Sequence, residues 1–224
     1  PPSIRRLVKV GCRSGYPWRI ENDDVKDSSN GRTIAAYENY ARRYAANVSP
    51  QPSESGALAL RHLADMLPCG AHVLDIGSGP GWDADFLEGL GVRVRRTDVT
   101  AAFRDFQAER GRLVDALHLL TDEIAETYDG ILMLCVLQHF ERIELDGVLH
   151  KLVNALRSEG AMLLSHPVGD DEVWEHTTSG DYRVVRWSGA MLDERLRRAG
   201  FVVVWHKSED GEEGPWRSVL AREA

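Results

Sequence analysis

The chain has 224 residues, 43% hydrophobic and 28% charged, which is typical of a globular protein with a packed core rather than a disordered or fibrous one. This length suits one α/β domain and is short for two catalytic domains. The net charge of −8 disfavours nucleic acid as a partner, because an acidic surface repels phosphate backbones.

The longest uninterrupted apolar run, from Ile131 to Leu137, is far below the ~20 residues that a membrane-spanning helix needs. No apolar signal sequence follows the basic start of the chain. The three cysteines are too far apart to form a metal-binding pair or a disulfide framework. We therefore expect a cytoplasmic protein without membrane contact, a monomer or homodimer.

Residues 1–31 begin with a basic stretch and continue as a polar run, and we interpret them as an N-terminal extension to a domain at 32–224. Termini are usually poorly ordered, so this extension is given no function. A first helix is predicted from Thr33 to Val48, with Tyr37, Tyr40 and Tyr44 on one face. A second is predicted from about Ser55 to Met66.

From residue 73 onwards, short apolar runs alternate with helical stretches, as in parallel βαβ units. The predicted fold is α/β: a Rossmann-like, seven-stranded, mostly parallel sheet with helices on both faces. The final two strands are joined by an acidic Gly/Pro loop without a helix, so the last strand should be antiparallel. The strands are predicted at Val73–Ile76, Val92–Thr97, Leu113–Val114, Gly130–Leu137, Ala161–Ser165, Phe201–His206 and Trp216–Ala221.

The first of these strands leads into a glycine loop, DIGSGPG at 75–81, and then a helix beginning at Trp82. Glycines let the backbone turn tightly and approach a ligand closely. Trp82 stands where a dinucleotide fingerprint needs a small residue, so a nicotinamide site is disfavoured.

Further features of this region limit the class of ligand that it can bind. The stretch from Gly77 to Gly91 holds no Lys or Arg, while Asp83 and Asp85 add negative charge, which disfavours a polyphosphate. Asp98 ends the second strand, where a carboxylate can accept both ribose hydroxyl hydrogens. The pattern predicts a nucleoside without phosphates, although Asp98 as a mere helix cap is the alternative.

The chain resembles the class I S-adenosylmethionine-dependent methyltransferases of the small-molecule type, from about Thr33 to the C-terminus. The resemblance is carried by LDIGSGPG at 74–81, Asp98, YDGILMLCVLQHF at 128–140, the terminal strand pair and the Tyr37-x3-Ala41-x2-Tyr44 helix. It implies that S-adenosyl-L-methionine is the cofactor.

The resemblance also implies roles for single residues. The loop residues Gly77, Ser78, Gly79 and Gly81 would lie against the methionine part of the cofactor, with Asp75 near its amino group. Asp98 would hold the ribose hydroxyls. The remaining implied cofactor contacts are Val99, Asp115 and Ala116 for the adenine, Cys135 and Val136 for the sulfonium, and Tyr37, Arg43 and Tyr44 for closure over the cofactor.

Two of these assignments have plainer alternatives. The tyrosine stripe on the first helix has the spacing of a helix face that packs into a core. Cys135 has the size and character of a small buried hydrophobe.

His139 follows the fourth strand at the edge where open α/β sheets place their active sites, and it is the predicted general base for a hydroxyl or protonated amine. In similar proteins a histidine here often shapes the pocket instead. Residues 165–188 form the predicted substrate-specificity insertion, in which His166, Tyr182 and Arg186 would join His139 in binding the acceptor. A solvated edge strand would explain the alternation around Tyr182 equally well.

His166, Asp170, Asp171 and His176 match no compact metal motif, and no metal site is predicted. The predicted function is methyl transfer to an oxygen or nitrogen of a small metabolite, without nucleic acid or membrane as a partner. Two alternatives stay open: methylation of a peptide or RNA, and a non-catalytic module that binds a nucleoside or a partner.

Overall fold

The computed structural model describes residues 28–211 and 214–224, so most of the predicted N-terminal extension lies outside the described residues. The helices are α1 (Ser29–Asn47), α2 (Glu54–Met66), α3 (Trp82–Gly89), α4 (Ala101–Glu109), α5 (Leu145–Ala155) and α6 (Gly189–Arg198). The strands are β1 (His72–Ile76), β2 (Arg93–Thr97), β3 (Val114–Asp115), β4 (Tyr128–Met133), β5 (Leu156–Pro167), β6 (Glu172–Thr177), β7 (Gly180–Val185), β8 (Phe201–Gly211) and β9 (Gly214–Glu223).

Seven of these strands form one sheet in the order β3-β2-β1-β4-β5-β9-β8. The pairs from β3 to β5 are parallel, whereas β9 runs antiparallel to both β5 and β8. The predicted fold class is confirmed. Since β4 lies beside β1 on the side opposite β2, strand order reverses there and leaves a crevice outside the strands' carboxyl ends.

Neighbouring residues of each strand face opposite sides of the sheet and enter different core clusters. Val73 packs with Leu60 and Leu63 of α2 on one face, whereas Leu74 belongs to the cluster of the other face. That second cluster contains Leu149 of α5 and residues of α6. Among the described residues, no helix is both long and apolar enough to cross a membrane.

The fourth strand ends at Met133, four residues earlier than predicted. The backbone N–H of Cys135 leaves the sheet and donates to Ser165 Oγ at 2.9 Å. Cys135 takes a left-handed φ of 56°, and a short 3-10 helix follows over Leu137–His139. The continuous apolar run concealed this break, so Cys135 and Val136 lie in a loop beyond the strand.

The predicted insertion at 165–188 contains a separate two-stranded hairpin, β6–β7. Its second strand covers the alternating residues around Tyr182 that the sequence indicated. The hairpin packs against α1, where a Cβ on Gly180 would lie 3.0 Å from Ala36. The amide of Asn39 also donates to Ser179 O at 3.2 Å.

Helix α1 begins at Ser29, four residues before the predicted start. The side chain of Ser28 caps it by accepting a hydrogen bond from Gly31 N at 3.0 Å. Residues 29–31 of the predicted extension therefore belong to this helix.

The close packing at Gly130 gives a test of the core. A Cβ there would lie 2.9 Å from Leu67 Cδ1 and 3.1 Å from Val73 Cγ2. We expect Gly130→Ala to lower the free energy of unfolding by about 1–3 kcal/mol, measured by urea denaturation. The control is Gly89→Ala, because a Cβ at helical Gly89 meets no heavy atom within 4 Å. Equal losses in both variants would contradict the packing argument.

Candidate functional site

The glycine loop at 77–81 joins β1 to α3 and bends through left-handed backbone conformations. Gly77 has φ 66°, and a Cβ on it would lie 2.5 Å from Val136 Cγ2. Gly81 has φ 85°, and a Cβ there would collide with the Gln107 side chain. Glycine is therefore required at both positions by conformation and by space.

The loop is held from behind by two buried polar side chains. The guanidinium of Arg96 donates to Gly81 O at 3.2 Å and to Gln107 Oε1 at 3.0 Å. The Gln107 amide donates in turn to Gly79 O at 2.9 Å and to Ser78 Oγ at 3.2 Å. These bonds leave the opposite side of the loop free to face a ligand.

Asp85 does not contribute charge to a ligand site, contrary to the expectation from the sequence. Its carboxylate pairs with Arg96, Arg110 and Arg112 behind the loop. Burial raises the pKa of Asp85, but the hydrogen bonds from Arg110 and Arg96 outweigh that effect and leave the pKa below its ordinary value. The basic residues missing from the loop itself are thus supplied by β2 and by the C-terminal end of α4.

A cavity of about 180 Å³ lies in front of the glycine loop and beside α1, and we name it the loop chamber. It brings together many of the predicted cofactor residues. Those lining it are Tyr37, Tyr44, Gly77, Ser78, Gly79, Asp98, Val99, Cys135 and Val136, together with His139.

Other predicted cofactor residues are not in this lining. Asp75, at the end of β1, is buried, and burial raises its pKa to about 7 against the opposing hydrogen bond of Ser78. Asp115 is half exposed, and its carboxylate accepts a hydrogen bond from Arg95 Nε at 2.7 Å. The others outside the lining are Gly81, Ala116 and Arg43.

The loop chamber is acidic. Both oxygens of Asp98 accept backbone hydrogen bonds at 2.8 Å, one from Gly79 N and one from Thr100 N, and burial raises the pKa of this carboxyl. Burial also raises the pKa of Asp83 to about 6. No Lys or Arg occurs among the residues that line this chamber. A ligand that carries positive charge fits it better than an anion.

Several lining residues carried no signal in the sequence, because their neighbours come from distant parts of the chain. Phe103 of α4 packs its ring against Tyr37 and Tyr44, at 6.1 and 5.7 Å between centroids. His118 lies between Leu117 and Leu119 in the wall, and its two ring nitrogens have no hydrogen-bond partner within 28–211 and 214–224. The motif after β3 indicated only Asp115 and Ala116.

A second cavity of about 490 Å³ lies between α1 and the β6–β7 hairpin, and we name it the hairpin chamber. It is lined by Ala36, Tyr37, Tyr40, Arg43, Tyr44, Cys135, Gln138, His139, Pro167, Glu175, Thr177, Thr178, Ser179, Tyr182, Val184, Arg186 and Trp216. Tyr37, Tyr44, Cys135 and His139 line both chambers, and we name these four the shared wall.

His139 is a buried, neutral residue of the shared wall. Its Nδ1 lies 3.1 Å from Arg183 O, and a carbonyl can only accept, so Nδ1 carries the proton. Burial lowers the pKa of His139 to about 4 against this hydrogen bond, which leaves Nε2 unprotonated at neutral pH. Tyr37 Oη, 3.3 Å from Nε2, therefore donates to it.

Three of the four predicted acceptor residues, His139, Tyr182 and Arg186, line the hairpin chamber, but His166 does not. The His166 side chain is completely buried, with Nδ1 3.1 Å from its neighbour's carbonyl oxygen. His176 pairs with Asp181 instead of joining a cluster. Within the described residues, no group of three or more His, Cys, Asp or Glu side chains is placed to hold a metal ion.

The sequence matches a family model described as a methyltransferase domain over residues 36–206. Curated proteins gave no significant match. Among solved structures, the CcbJ methyltransferase from Streptomyces caelestis shares the fold at 14% sequence identity and a TM-score of 0.69, with 85% of this chain and 98% of that chain covered. The DhpI–SAH complex matches at 20% identity and a TM-score of 0.69, with 87% of this chain and 97% of that chain covered. The Burkholderia thailandensis 1,6-didemethyltoxoflavin-N1-methyltransferase, with 1,6-didemethyltoxoflavin and S-adenosylhomocysteine bound, matches at 20% identity and a TM-score of 0.67, with 94% and 93% of the two chains covered.

The environment of His139 predicts its titration. Because burial opposes protonation, the ring stays neutral in the folded protein down to about pH 4, whereas in the unfolded chain it is protonated below about pH 6.5. This difference lowers the stability of the folded state as the pH falls from about 6.5 towards 4. Between pH 5 and 8, nitrogen-15 NMR of ring-labelled protein should show that His139 carries a proton on Nδ1 and none on Nε2. The His139 signal is assigned by its loss in His139→Gln. Titration of that signal near pH 6.5 would show that the ring is not buried as described.

Proposed function

The chain belongs to the methyltransferase domain family, and from this premise we propose that it transfers a methyl group from S-adenosylmethionine to an oxygen or nitrogen atom of a small metabolite. The observation that carries the proposal is the meeting of two chambers at the shared wall. One chamber is acidic and bounded by a glycine loop, and the other is larger and rich in aromatic side chains.

The lining of the loop chamber suits the charge and the chemical groups of S-adenosylmethionine. Its sulfonium and ammonium groups are cationic, which suits the acidic lining with Asp83 and Asp98. Each oxygen of the Asp98 carboxylate accepts one backbone hydrogen bond and keeps lone-pair capacity for a ribose hydroxyl. Phe103, Leu117 and Leu119 supply apolar surface for an adenine ring.

When bound, S-adenosylmethionine supplies a methyl group activated by a positively charged sulfur. The chain's main task is then to place the acceptor atom behind that carbon. The shared wall borders both chambers, so we place the methyl group and the acceptor atom beside its four residues, Tyr37, Tyr44, Cys135 and His139. Asp83, in the loop chamber, is the nearby acidic group suited to the methionine ammonium.

His139 Nε2 is the group that we assign to receive the acceptor's proton. Its lowered pKa makes it a weak base, suited to a proton that leaves while the acceptor atom gains positive charge and becomes strongly acidic. In this structure Tyr37 Oη already donates a hydrogen bond to Nε2. An acceptor must therefore displace that hydroxyl or pass its proton to Nε2 through it.

The hairpin chamber favours a small acceptor over the alternatives. Aromatic rings line it, and Arg186, one of its two arginines, is neutralised by Asp171 at 2.9 Å, which offers little to an RNA backbone. A peptide remains the second candidate acceptor, because the chamber volume of about 490 Å³ would admit one side chain. A non-catalytic module would have no evident use for the two adjoining chambers.

Replacement of Asp98 tests the cofactor assignment. Asp98→Asn removes the charge and turns one donor towards the loop, so S-adenosylhomocysteine should bind about 1–3 kcal/mol more weakly by calorimetry. Asp115→Asn is the matched control, because that carboxylate pairs with Arg95 outside the chamber lining. Unchanged affinity in Asp98→Asn, or an equal loss in both variants, would remove Asp98 from the cofactor site.

The acceptor class is tested by following the methyl group itself. The protein is incubated with methyl-labelled S-adenosylmethionine and separate metabolite, peptide and RNA fractions of a cell extract. We expect label to enter the metabolite fraction, and His139→Gln to slow that transfer by about a hundredfold if the proton is taken there. Label in the peptide or RNA fraction alone would refute the small-molecule assignment.

A further inference from the structure

We propose that the methyl acceptor is an acid and that Arg43, in the wall of the hairpin chamber, binds its carboxylate. The inference rests on the proposed function, because it names the class of substrate that this chamber takes. It gives Arg43 a different role from the closure over the cofactor that the family resemblance implies.

Arg43 belongs to the acceptor side of the site. Helix α1 presents Ala36, Tyr40 and Arg43 to the hairpin chamber, at the spacing of one helix face. Arg43 is absent from the lining of the loop chamber. Its side chain is exposed, so a molecule in the hairpin chamber can reach its donors.

The charge of Arg43 is not neutralised by the residues around it. Its neighbour Arg42 donates to Glu109 Oε2 at 3.0 Å, and the other arginine of the chamber is paired with Asp171 at 2.9 Å. Arg43 has no hydrogen bond or ion pair within residues 28–211 and 214–224, and Glu175, the acid in the same lining, does not pair with it. The chamber therefore holds an accessible cation that lacks a carboxylate.

The two chambers differ in charge in the way that such an acceptor requires. The loop chamber contains Asp83 and Asp98 and has no Lys or Arg in its lining, which suits a cationic cofactor. A positively charged acceptor would be repelled both by Arg43 and by the sulfonium of that cofactor. A carboxylate would be attracted by both, and the planar fork of a guanidinium matches its two oxygens.

The position of Arg43 separates the acid from the atom that is methylated. Arg43 lies six residues after Tyr37, which is about 9 Å further along α1, and its guanidinium carbon lies 6.0 Å from the ring centroid of Tyr40. Tyr37 instead contacts His139, the proposed proton acceptor, at 3.3 Å. The carboxylate is thus a recognition group, and a hydroxyl or amine elsewhere in the acceptor takes the methyl group.

The hairpin closes the same end of the chamber. Asn39, one helical turn before Arg43 on the same face, donates to Ser179 O at 3.2 Å. Ser179 and Thr178 both line the chamber. The turn of the hairpin therefore lies beside Arg43 and limits how far an acceptor can extend past it.

The test uses matched acids and amides: 4-hydroxybenzoate with 4-hydroxybenzamide, 4-aminobenzoate with 4-aminobenzamide, and indole-3-acetate with indole-3-acetamide. The probes are aromatic because Tyr40, Tyr182 and Trp216 line the chamber. Binding is measured by ligand-observed NMR on protein saturated with S-adenosylhomocysteine. In the wild type, the acid of at least one pair should bind about fivefold more tightly than its amide.

Two neighbouring variants assign this preference. Arg43→Gln should abolish it, whereas Arg42→Gln, which removes the same charge outside the chamber lining, should keep it. The inference is overturned if the wild type shows no preference or binds none of the acids. It is also overturned if Arg43→Gln keeps the preference, or if both variants lose it equally.

Calorimetry with S-adenosylhomocysteine separates this inference from the proposed function. We expect Arg43→Gln to bind this product with the affinity of the wild type. A loss of affinity in Arg43→Gln would assign Arg43 to the carboxylate of the cofactor, which overturns the inference and leaves the proposed function in place. If the wild type itself does not bind the product, the proposed function fails and the inference fails with it.

Discussion

The buried guanidinium of Arg96 is the interaction on which the site depends. A charge out of contact with water must be neutralised and hydrogen-bonded, and Arg96 meets both needs with Asp85, Glu88, Gln107 and the carbonyl oxygen of Gly81. Its rigid fork of donors fixes all these groups relative to one another. The glycine loop is thereby held firmly on one side, and its other side is left without side chains in the way of a ligand.

The topology of the sheet turns this local constraint into a site. Strand order reverses between β1 and β4, so the glycine loop, Asp98 and the loop after β4 all come to the same edge. Helix α1 and the hairpin then cover that edge, joined through Asn39 to Ser179 and through Thr33 to Arg183. One sheet edge thus supports two chambers, and the four residues between them are drawn from α1 and the segment after β4.

The sequence predicted those parts of the molecule that depend on local pattern. Strand periodicity, the glycine loop, Asp98 and the position of His139 can be recognised because each is set by a few adjacent residues. Features set by distant partners could not be recognised: the end of β4 depends on Ser165, the diversion of Asp115 on Arg95, and the tautomer of His139 on the carbonyl of Arg183. The sequence wrongly predicts that Asp85 adds negative charge to the ligand site for the same reason, since its arginine partners lie on other elements.

Cys135 lines both chambers and so lies beside the proposed alkylating cofactor. A thiolate there would compete with the intended acceptor, because it could take the methyl group and leave S-adenosylhomocysteine behind. Desolvation by the protein atoms around the two chambers raises the pKa of this thiol to about 11, so the thiol form predominates at pH 7. Since a neutral thiol is a poorer nucleophile than a thiolate, the raised pKa favours methylation of the acceptor over methylation of Cys135.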